Sequence, residues 1–479
     1  MLDAYFPTAA GQPGQSNPPD VSEISIVPRT IVPYTPTYQR FMKKDVRFTT
    51  QFSHVYLNRF IALTPFVKES LKLRYENEKV KVVEKIIDLA VGESGVVIGT
   101  IYKEQMQKPS VLDKFAHEFD DVAVEEKLDT AKNYCSDSDK LILEDVSGRM
   151  TLCNLGSEVI DSVVTGIVVA VKGILNEDGE FSVDKDGICF PNPPPQRALK
   201  LDSMASTGDL PNSKFVALVS GLGIGGKSAD PLKLQLLSDY LTGHIAGSHQ
   251  QLQRSIVRLL SVGNNLAEQF LPTDDASDPV LQDDQNRLVG PIRQLDLFLA
   301  EIATSIPVDV MPGNSDSMCT KTWPQQPIKR ILLPQSSRCR NTFRSVTNPY
   351  EFTIGEAEVS FLGHSGQAIS DLRQYTKGKS TIELLKSTID WRHLCPTAPD
   401  TLPCFPLTEY DPFTLDKELP HVYFCGNQEK FETVRYQPLG SAESAVRIIS
   451  VPDFDKTGTI VLVDINSPTL ETFTFSFDS

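Results

Sequence analysis

A glycine-rich run in the middle of the chain has the residue types and spacing of a phosphate-binding loop. Residues 221–228 satisfy the P-loop pattern G-x-x-x-x-G-K-[ST], with Lys227 and Ser228 at its end, and also the pattern G-x-G-x-x-G. The run follows a predicted strand and precedes a predicted helix, the context in which backbone N–H groups bind phosphate. Nucleotide binding is therefore one alternative, and a glycine-rich turn between a strand and a helix is the other.

The acidic residue that such a nucleotide site requires does not stand at the neighbouring strand ends. A P-loop enzyme holds Mg²⁺ with an acid at the end of a second strand. The next predicted strand ends in the neutral run Gly-Asn-Asn at 263–265, and Asp309 lies inside the strand after it. A dinucleotide site would need an acid at a strand end about 20 residues on, but Asp239 falls within the predicted helix. These features argue against either nucleotide site.

The same strand ends lie where a metal-dependent phosphoesterase would hold its ions. Two metal ions about 3.5–4 Å apart need several His and Asp ligands. The enzyme pattern places Asp-x-His, Gly-Asp, Gly-Asn-His-Asp and Gly-His-x-His at four strand ends, and here nearly all of these ligand positions hold inert residues. We therefore expect no catalytic residue, no metal ion and no cofactor. The degenerate positions are Gly221, Gly223, Asn264, Asn314, Ser315, Asn427 and Glu429.

A metal-dependent phosphoesterase with a non-standard ligand set is the alternative to this loss of chemistry. Its candidate ligands are Asn314, Asp316 and His364, the last being one of only seven histidines. Asp316 and His364 both lie in predicted loops. A carboxylate in that setting bonds its own turn, and a histidine there has a hydrogen-bonded structural role more often than a ligand role. Bound divalent metal in the purified protein would support this alternative.

Composition and charge limit the classes of function that the chain can have. The 479 residues are 40% hydrophobic and have a formal net charge of −16, which suits two or three globular domains. Because so acidic a chain repels phosphate backbones, we expect no tight DNA binding by the chain alone. The eight cysteines form no C-x-x-C pair, and no apolar run reaches the ~20 residues needed to cross a bilayer. We expect no signal peptide, no zinc knuckle, and reduced thiols in the cytosol or nucleus.

The first half of the sequence predicts a flexible segment, a helix and a small barrel. Residues 1–42 are rich in Pro, Ser, Thr and Gly, which predicts flexibility. Residues 43–80 form a helical lead-in that Pro65 should break or offset. Short strands follow over residues 81–190, with Ser-Gly and Asp-Gly hairpin turns. An OB-fold barrel fits this pattern, and a β-sandwich is the alternative that spacing does not separate from it.

The second half predicts a mixed α/β domain. A proline-rich linker occupies residues 191–211, and the domain covers residues 212–479. In its first part strands alternate with helices, one of which can be capped by Asp230, with Pro231 at its first position and Gly243 at its end. Strands dominate its last part. The fold class is therefore α/β plus all-β, in two joined domains.

An ordered series of short sequence blocks covers both halves. In the first half they are LILED at 141–145 and VTGIVVAV at 164–171. In the second half they are VSGLG at 219–223, PVDVMPG at 307–313, PQQP at 324–327, VTNPY at 346–350, FLGHSGQ at 361–367, PTAPDTL at 396–402, DPF at 411–413 and PHVYFCGN at 420–427. In this order, over roughly residues 48–465, the chain resembles the small, non-catalytic B subunits of DNA polymerase delta.

The resemblance implies a fold and a set of partners. Members of that family join an OB-fold barrel to a degenerate calcineurin-like phosphoesterase domain, a mixed β sandwich flanked by helices that has lost its metal site. They hold the C-terminal metal-binding region of the catalytic subunit and a third subunit, and so contact the sliding clamp indirectly. This implies a non-catalytic scaffold in nuclear DNA replication and repair synthesis, with at most weak DNA contact. Permanent interfaces of that kind are large and apolar, so the free chain should be poorly soluble.

The chain departs from the family pattern at two places. Ser315 replaces the His of Gly-Asn-His-Asp, while Asn314 and Asp316 keep two of its letters. Lys227 and Ser228 create the P-loop likeness in a region where the family is merely glycine-rich.

Overall fold

The computed structural model describes most of the chain between residues 29 and 477. The described ranges are 29–43, 49–76, 80–109, 133–200, 213–226, 229–245, 250–268, 281–438 and 444–477, with side chains of the helix that begins at 281 described from 289 onward. Within these ranges no helix is long and apolar enough to span a membrane. Lys227 and Ser228, and residues 1–28 of the segment predicted to be flexible, lie outside them.

Strands carry most of the architecture, and helices cover its outer faces. The strands are β1 Tyr34–Pro36, β2 Val82–Val83, β3 Ser94–Glu104, β4 Lys140–Glu144, β5 Arg149–Cys153, β6 Val168–Leu175, β7 Phe181–Cys189, β8 Phe215–Val219, β9 Ile256–Val262, β10 Val308–Met311, β11 Phe343–Ser345, β12 Tyr350–Ile354, β13 Val359–His364, β14 Val422–Gln428, β15 Glu432–Tyr436, β16 Val446–Pro452, β17 Thr459–Asp464 and β18 Thr472–Ser476. The α-helices are α1 Ser53–Arg74, α2 Ser157–Ser162, α3 Pro231–Thr242, α4 Gln250–Ser255, α5 Leu281–Ala303, α6 Gln367–Tyr375, α7 Thr381–Asp390 and α8 Phe454–Thr457. Short 3₁₀ turns cover Tyr38–Phe41, Ile86–Asp88, Arg330–Leu332 and Ser336–Arg338.

A closed barrel occupies the first half of the chain. Among the described strands, five form a ring in the order β3-β4-β5-β7-β6, because β6 pairs back onto β3. The β5–β7 pair is parallel, and the other pairs of the ring are antiparallel. Alternate residues of β4, Leu141 and Leu143, lie in the apolar core, as the two-residue period of a strand requires. This closed ring confirms the predicted OB-fold.

Helix α1 packs along the outside of the barrel and continues through Pro65. Leu63, Val67 and Leu71 are buried in one cluster with outward-facing residues of the barrel. The prediction that Pro65 breaks or offsets this helix is wrong. Proline deprives the carbonyl four residues earlier of its hydrogen bond, but that carbonyl belongs to Ile61, a residue that is 61% exposed. Water can therefore satisfy it.

Two mixed sheets pack face to face in the second half. One has the order β1-β12-β13-β14-β16-β15 and the other β11-β10-β9-β8-β17-β18. Along β8, Val216 and Leu218 face the opposite sheet, whereas Ala217 and Val219 face helices. Helices α3 and α5 cover the outer face of the β8 sheet, and α6 and α7 cover that of the β14 sheet. The domain is thus the mixed β sandwich flanked by helices that we predicted.

Part of the segment predicted to be flexible is built into this sandwich. Strand β1 pairs antiparallel with β12, and Phe41 is fully buried. The ring of Tyr34 packs under the guanidinium of Arg258, 3.6 Å from the ring centroid to Cζ. Residues 29–42 therefore do not fit the flexible prediction, because they bury surface against elements more than 200 residues away, which composition cannot reveal.

Candidate functional site

The C-terminal ends of strands from both sheets converge at one edge of the sandwich. Strands β8, β9 and β10 are parallel neighbours in one sheet, and β13 and β14 are parallel neighbours in the other. The two groups touch through Asn427 on β14, whose Nδ2 donates to the carbonyls of Val262 (3.2 Å) and Ser365 (2.6 Å). The structure thus brings together the strand ends at which we predicted degenerate metal positions. We call the residues at these ends, from β8, β9, β10, β13 and β14, the strand-end junction.

The glycine-rich loop after β8 uses its backbone donors within the protein. The N–H groups of Gly221 and Gly223 donate to the carbonyls of Gly263 (3.0 Å) and Asn264 (3.3 Å). Ile224 N–H donates to the Asn265 carbonyl at 3.0 Å. Helix α3 begins later, at Pro231, and its N-terminus is capped by the carboxylate of Asp230, which accepts from Leu232 N–H. Because a phosphate cradle needs free N–H groups, this part of the loop forms the strand-to-helix turn instead.

Backbone and neighbouring side chains fill the space into which metal ligands would point. A Cβ built at Gly313 would lie 2.1 Å from the backbone nitrogen of Asn264. A Cβ built at Gly221 would lie 2.3 Å from Oδ1 of Asp453 and 3.0 Å from Oδ1 of Asn427. Real Cβ atoms do not come within 3.0 Å of other heavy atoms. The two glycines therefore allow the strand ends to pack closer together than residues with a Cβ would permit.

The remaining degenerate positions either bond their neighbours or lie outside the junction. Asn264 accepts from the backbone N–H of Ser315 (3.2 Å), and Ser315 Oγ donates to the carbonyl of Leu266 (2.6 Å). Asn314 is half-buried beside them, whereas Glu429 is exposed. Ser315 thus joins the ends of β9 and β10 at the position where the enzyme pattern has a histidine.

Asp316 bonds its own turn, and its two carboxylate oxygens accept from donors in the loops that follow β9 and β10. It accepts from Gly313 N–H (2.7 Å), Leu266 N–H (2.9 Å) and Asn265 Nδ2 (2.8 Å). Burial raises the pKa of Asp316, while these hydrogen bonds oppose that shift by favouring the charged form. The carboxylate is therefore occupied by protein donors that hold two strand ends together.

Four side chains that the sequence did not single out extend the hydrogen-bond network of the junction toward β13. We call Gln325, Asn348, Ser365 and Gln367 the amide cluster. Asn348 Nδ2 donates to Gln325 Oε1 (2.7 Å) and to Ser365 Oγ (2.6 Å), and Gln367 Nε2 donates to Gln325 Oε1 (3.0 Å). Gln325 Nε2 in turn donates to the Gly313 carbonyl (3.0 Å). These residues stand in the PQQP, VTNPY and FLGHSGQ blocks, so the sequence contained their signal but not their contacts.

His364 is fully buried among aromatic rings rather than directed at the strand-end junction. Its ring centroid lies 5.8 Å from that of Trp323 and 6.1 Å from that of Tyr423. Its Nδ1 accepts from Gly366 N–H at 3.1 Å. Burial lowers the pKa of His364 to about 3, so the ring is neutral at physiological pH. Of the three candidate ligands of the alternative site, Asp316 is thus saturated by protein donors and His364 is enclosed by aromatics.

We expect His364 to make the fold sensitive to mild acid. Its folded pKa of about 3 lies below the ~6.5 of an unfolded histidine, so the unfolded state takes up the proton first. Its contribution is complete above pH 6.5 and is lost as the pH falls toward 3. Between pH 7.5 and pH 5 the free energy of unfolding should fall by about 2 kcal/mol from this residue.

Urea unfolding at several pH values tests this expectation. In His364→Asn an amide oxygen can still accept from Gly366 N–H, but the titration is gone, so this part of the pH dependence should disappear. His54→Gln, at an exposed histidine of α1, is the matched control and should keep the full pH dependence. An unchanged slope in His364→Asn would contradict the assignment.

The arrangement as a whole offers no open ligand set. Within the described ranges, no three His, Cys, Asp or Glu side chains lie close enough together to hold a metal ion. Asp309, inside β10, is also engaged: it accepts from Arg258 Nη1 (2.8 Å) and from the Tyr350 hydroxyl (2.9 Å). The junction is a closed, hydrogen-bonded structure, and what it can do chemically is hold two sheets in fixed register.

A buried ion pair, which the sequence did not point to, joins the barrel to the sandwich. Arg59 on α1 is fully buried; its Nε donates to Asp411 Oδ2 (2.8 Å) and its Nη1 to the carbonyl of Gly166 in the barrel (3.0 Å). His393 donates Nε2–H to the same Asp411 oxygen (2.9 Å), in the tautomer fixed by Nδ1 accepting from Cys395 N–H. We call Arg59, Asp411 and His393 the interdomain clamp. Burial by itself raises the pKa of Asp411, but His393 and Arg59 beside it keep that pKa low.

Comparison with known proteins gives two family matches that together cover most of the chain. The family described as DNA polymerase delta subunit OB-fold domain matches residues 51–185. The family of the B subunits of DNA polymerases alpha and epsilon matches residues 216–433. The first match contains the described barrel up to the middle of β7, and the second contains the strand-end junction.

Three relatives match this chain over about nine tenths of its length and of their own. The chain is 37% identical over 453 residues to the DNA polymerase delta small subunit of Arabidopsis thaliana, covering 92% of this chain and 95% of that protein. It is 36% identical over 434 residues to the DNA polymerase delta small subunit of Oryza sativa subsp. japonica, covering 89% and 93%. It is 32% identical over 479 residues to the DNA polymerase delta small subunit of Saccharomyces cerevisiae, covering 91% of each.

Proposed function

Because the chain belongs to the family of DNA polymerase delta small subunits, we propose that it is a non-catalytic scaffold of the polymerase delta complex. It holds the C-terminal metal-binding region of the catalytic subunit and a third subunit, and contacts the sliding clamp indirectly through that third subunit. Since the complex acts on DNA, the chain works in the nucleus, in replication and in repair synthesis.

The observation that carries the non-catalytic assignment is the closed strand-end junction. The carboxylate of Asp316 is saturated by three N–H donors, and the N–H groups of Gly221 and Gly223 donate to protein carbonyls. A hydrolytic site needs a cavity for substrate and open metal positions for water. We infer that the ligand substitutions removed metal binding and let the strand ends pack as a rigid structure. The substituted positions are Gly221, Gly223, Asn264, Asn314, Ser315, Asn427 and Glu429.

The geometry of the sandwich supports an origin in the calcineurin-like phosphoesterases. In such enzymes the ligands stand at strand ends, and here the same positions lie after β8, after β9, after β10 and on β14. We propose that the sandwich is a degenerate member of that fold, with the OB-fold barrel over residues 81–190 and the sandwich domain over residues 212–479.

Exposed apolar side chains on the barrel and on α1 support a docking role. Ile87 is 73% exposed, Val146 71% and Leu57 41%. Leu57 and Val146 line a cavity of about 590 Å³ between α1 and the barrel, and Ile87 N–H donates to Ser147 Oγ, next to Val146. Apolar surface of this kind is typical of a protein interface, and we propose that another component of the complex covers it.

Affinity purification of the full-length chain from nuclear extract tests the scaffold function. We expect the catalytic subunit to copurify at near-equal stoichiometry, identified by mass spectrometry. Elemental analysis should find no manganese, zinc or iron on this chain once it is separated from its partners. Recovery of a lone, metal-loaded protein would instead support the phosphoesterase alternative at Asn314, Asp316 and His364.

Asn314→Ala serves as the matched variant in the same experiment. Asn314 is half-buried and is the candidate ligand whose removal disturbs the junction least. The scaffold function predicts the same yield of complex and the same DNA synthesis by that complex. A phosphoesterase activity present in the wild type and lost in Asn314→Ala would overturn the non-catalytic assignment.

A further inference from the structure

A small cavity lined by arginines lies at the edge of the sandwich, beside the N-terminal ends of the parallel strands β14 and β16. Asn427 and the strand-end junction lie at the opposite, C-terminal end of β14. It measures about 260 Å³ and is enclosed by the linker residue Arg197, by β15 and β16, and by the loop before β18. Arg435, Arg447 and His421 also line it. Among the described residues, none that lines the cavity is acidic. The cavity is therefore positively charged, in a chain whose net charge is −16.

Two of these arginines face each other across a strand pair. Arg435 on β15 and Arg447 on β16 are directly opposite in the antiparallel ladder, so their side chains project from the same face. Like charges in this position destabilise a sheet. Burial and then the proximity of Arg435 lower the pKa of Arg447, while Glu471 acts in the opposite direction. The fold therefore retains two adjacent like charges that lower the stability of this part of the sheet.

Arg447 also keeps one donor without a partner. Its Nη2 donates to the carbonyl of Thr469 at 2.7 Å, but its buried Nε has no hydrogen bond within the described structure. A buried unpaired donor is costly. An anion in the cavity would offset the repulsion between the two guanidinium groups.

Two further basic residues, Arg197 and His421, hold the wall of the cavity in place. Arg197 pairs with Glu418 at 2.9 Å and with Glu358 at 3.6 Å, so its own charge is already neutralised. His421 accepts from Ser360 N–H through Nδ1 (3.0 Å) and donates Nε2–H to the Arg197 carbonyl (2.7 Å). Burial lowers the pKa of His421, so the ring is neutral. The net positive charge of the cavity therefore comes from Arg435 and Arg447.

We infer that this cavity binds the dianionic phosphoryl group of a phosphate monoester, or free phosphate, between Arg435 and Arg447. The planar guanidinium fork binds oxyanions with two parallel hydrogen bonds, and a dianion matches two adjacent positive charges. The volume is below the roughly 300–1,000 Å³ typical of sites for drug-sized ligands, which suits a phosphoryl group better than a whole nucleotide. The inference is independent of the scaffold proposal, because it concerns a different face of the molecule.

Calorimetric titration of the full-length chain, with whatever subunits copurify, tests the inference. The probes are inorganic phosphate and O-phospho-L-serine, at constant ionic strength in chloride. We expect saturable binding at one site per chain and at least about tenfold weaker binding in Arg435→Gln, which loses a charge-assisted bidentate contact. Arg340→Gln, at an exposed arginine that does not line the cavity, should bind as the wild type does.

A second measurement separates binding from folding. Because Arg435 is exposed, Arg435→Gln should fold, and in phosphate-free buffer its thermal midpoint should exceed that of the wild type, since the repulsion is relieved. Added phosphate should raise the midpoint of the wild type and not that of the variant. Tighter binding of O-phospho-L-serine than of phosphate would identify a monoester as the ligand, and equal binding would identify free phosphate. No binding, equal binding by Arg435→Gln, or tighter binding of a single-stranded oligonucleotide lost in that variant would overturn the inference.

Discussion

Replacing Arg59 by alanine should lower the free energy of unfolding by about 3–5 kcal/mol, because it leaves Asp411 as a buried charge without its cation. The arginine donates to four acceptors that belong to different parts of the chain. Besides Asp411 and Gly166, these are the carbonyls of Pro396 (2.6 Å) and Ala398 (2.7 Å). The substitution therefore leaves three carbonyls and one carboxylate with a missing donor, and it removes the polar connection between α1, the barrel and the sandwich.

Urea unfolding followed by tryptophan fluorescence measures this effect, since Trp323 and Trp391 are the chain's two tryptophans and both are buried in the sandwich domain. Arg59→Lys should fall between the wild type and Arg59→Ala, because an ammonium keeps the charge but cannot reproduce the planar set of donors. Lys68→Ala, at an exposed position of the same helix, should change stability by less than about 0.5 kcal/mol. A loss below about 1 kcal/mol in Arg59→Ala would show that the interdomain clamp does not hold the domains together.

Restoring an acidic ligand at Gly221 should destabilise the protein rather than rebuild a metal site. Gly221→Asp introduces a Cβ at a residue with φ of +64°, 2.3 Å from Asp453 Oδ1. The positive φ costs about 1–2 kcal/mol for a side-chain-bearing residue, and the overlap costs about 1–3 kcal/mol more. The new carboxylate also lies beside that of Asp453, whose pKa burial already raises. We expect a total loss of about 3–5 kcal/mol.

Gly179→Asp is the matched control for the free-energy cost of placing a side chain at a residue with positive φ. Gly179 has φ of +79°, but a Cβ built there meets no atom within 4 Å, so this variant should lose only the conformational part, about 1–2 kcal/mol. Equilibrium dialysis against Mn²⁺ should show no tighter retention by Gly221→Asp than by the wild type. If Gly221→Asp were as stable as Gly179→Asp, or if it bound Mn²⁺, the strand-end junction could not be the closed structure described above.

The two predictions concern residues whose roles differ in how easily the sequence reveals them. Gly221 stands in a recognisable place, after a strand and at a position where an enzyme has an acid, so its type alone indicated a lost ligand. Arg59 lies in an ordinary helical pattern and looked like one basic residue among several. Its role depends on Asp411, 352 residues away, and no local pattern encodes such a contact.

The sequence by itself determined most of the local elements and the family, and it predicted the loss of metal ligands, whereas spacing alone left a barrel and a β-sandwich open for the first half. Strand periodicity, hairpin turns and the residue types at ligand positions each depend on a few neighbouring residues. They can therefore be recognised without knowing how the chain packs. The tertiary structure decided what those residues do instead. It showed that the N–H groups of Gly221, Gly223 and Ile224 are already bonded, that Asp316 and the amide cluster join the strand ends, and that β1 is part of a sheet. Burial, hydrogen bonding and pKa depend on groups that the fold brings together from distant parts of the chain, and this is why the sequence could name the altered positions but not the structure they form.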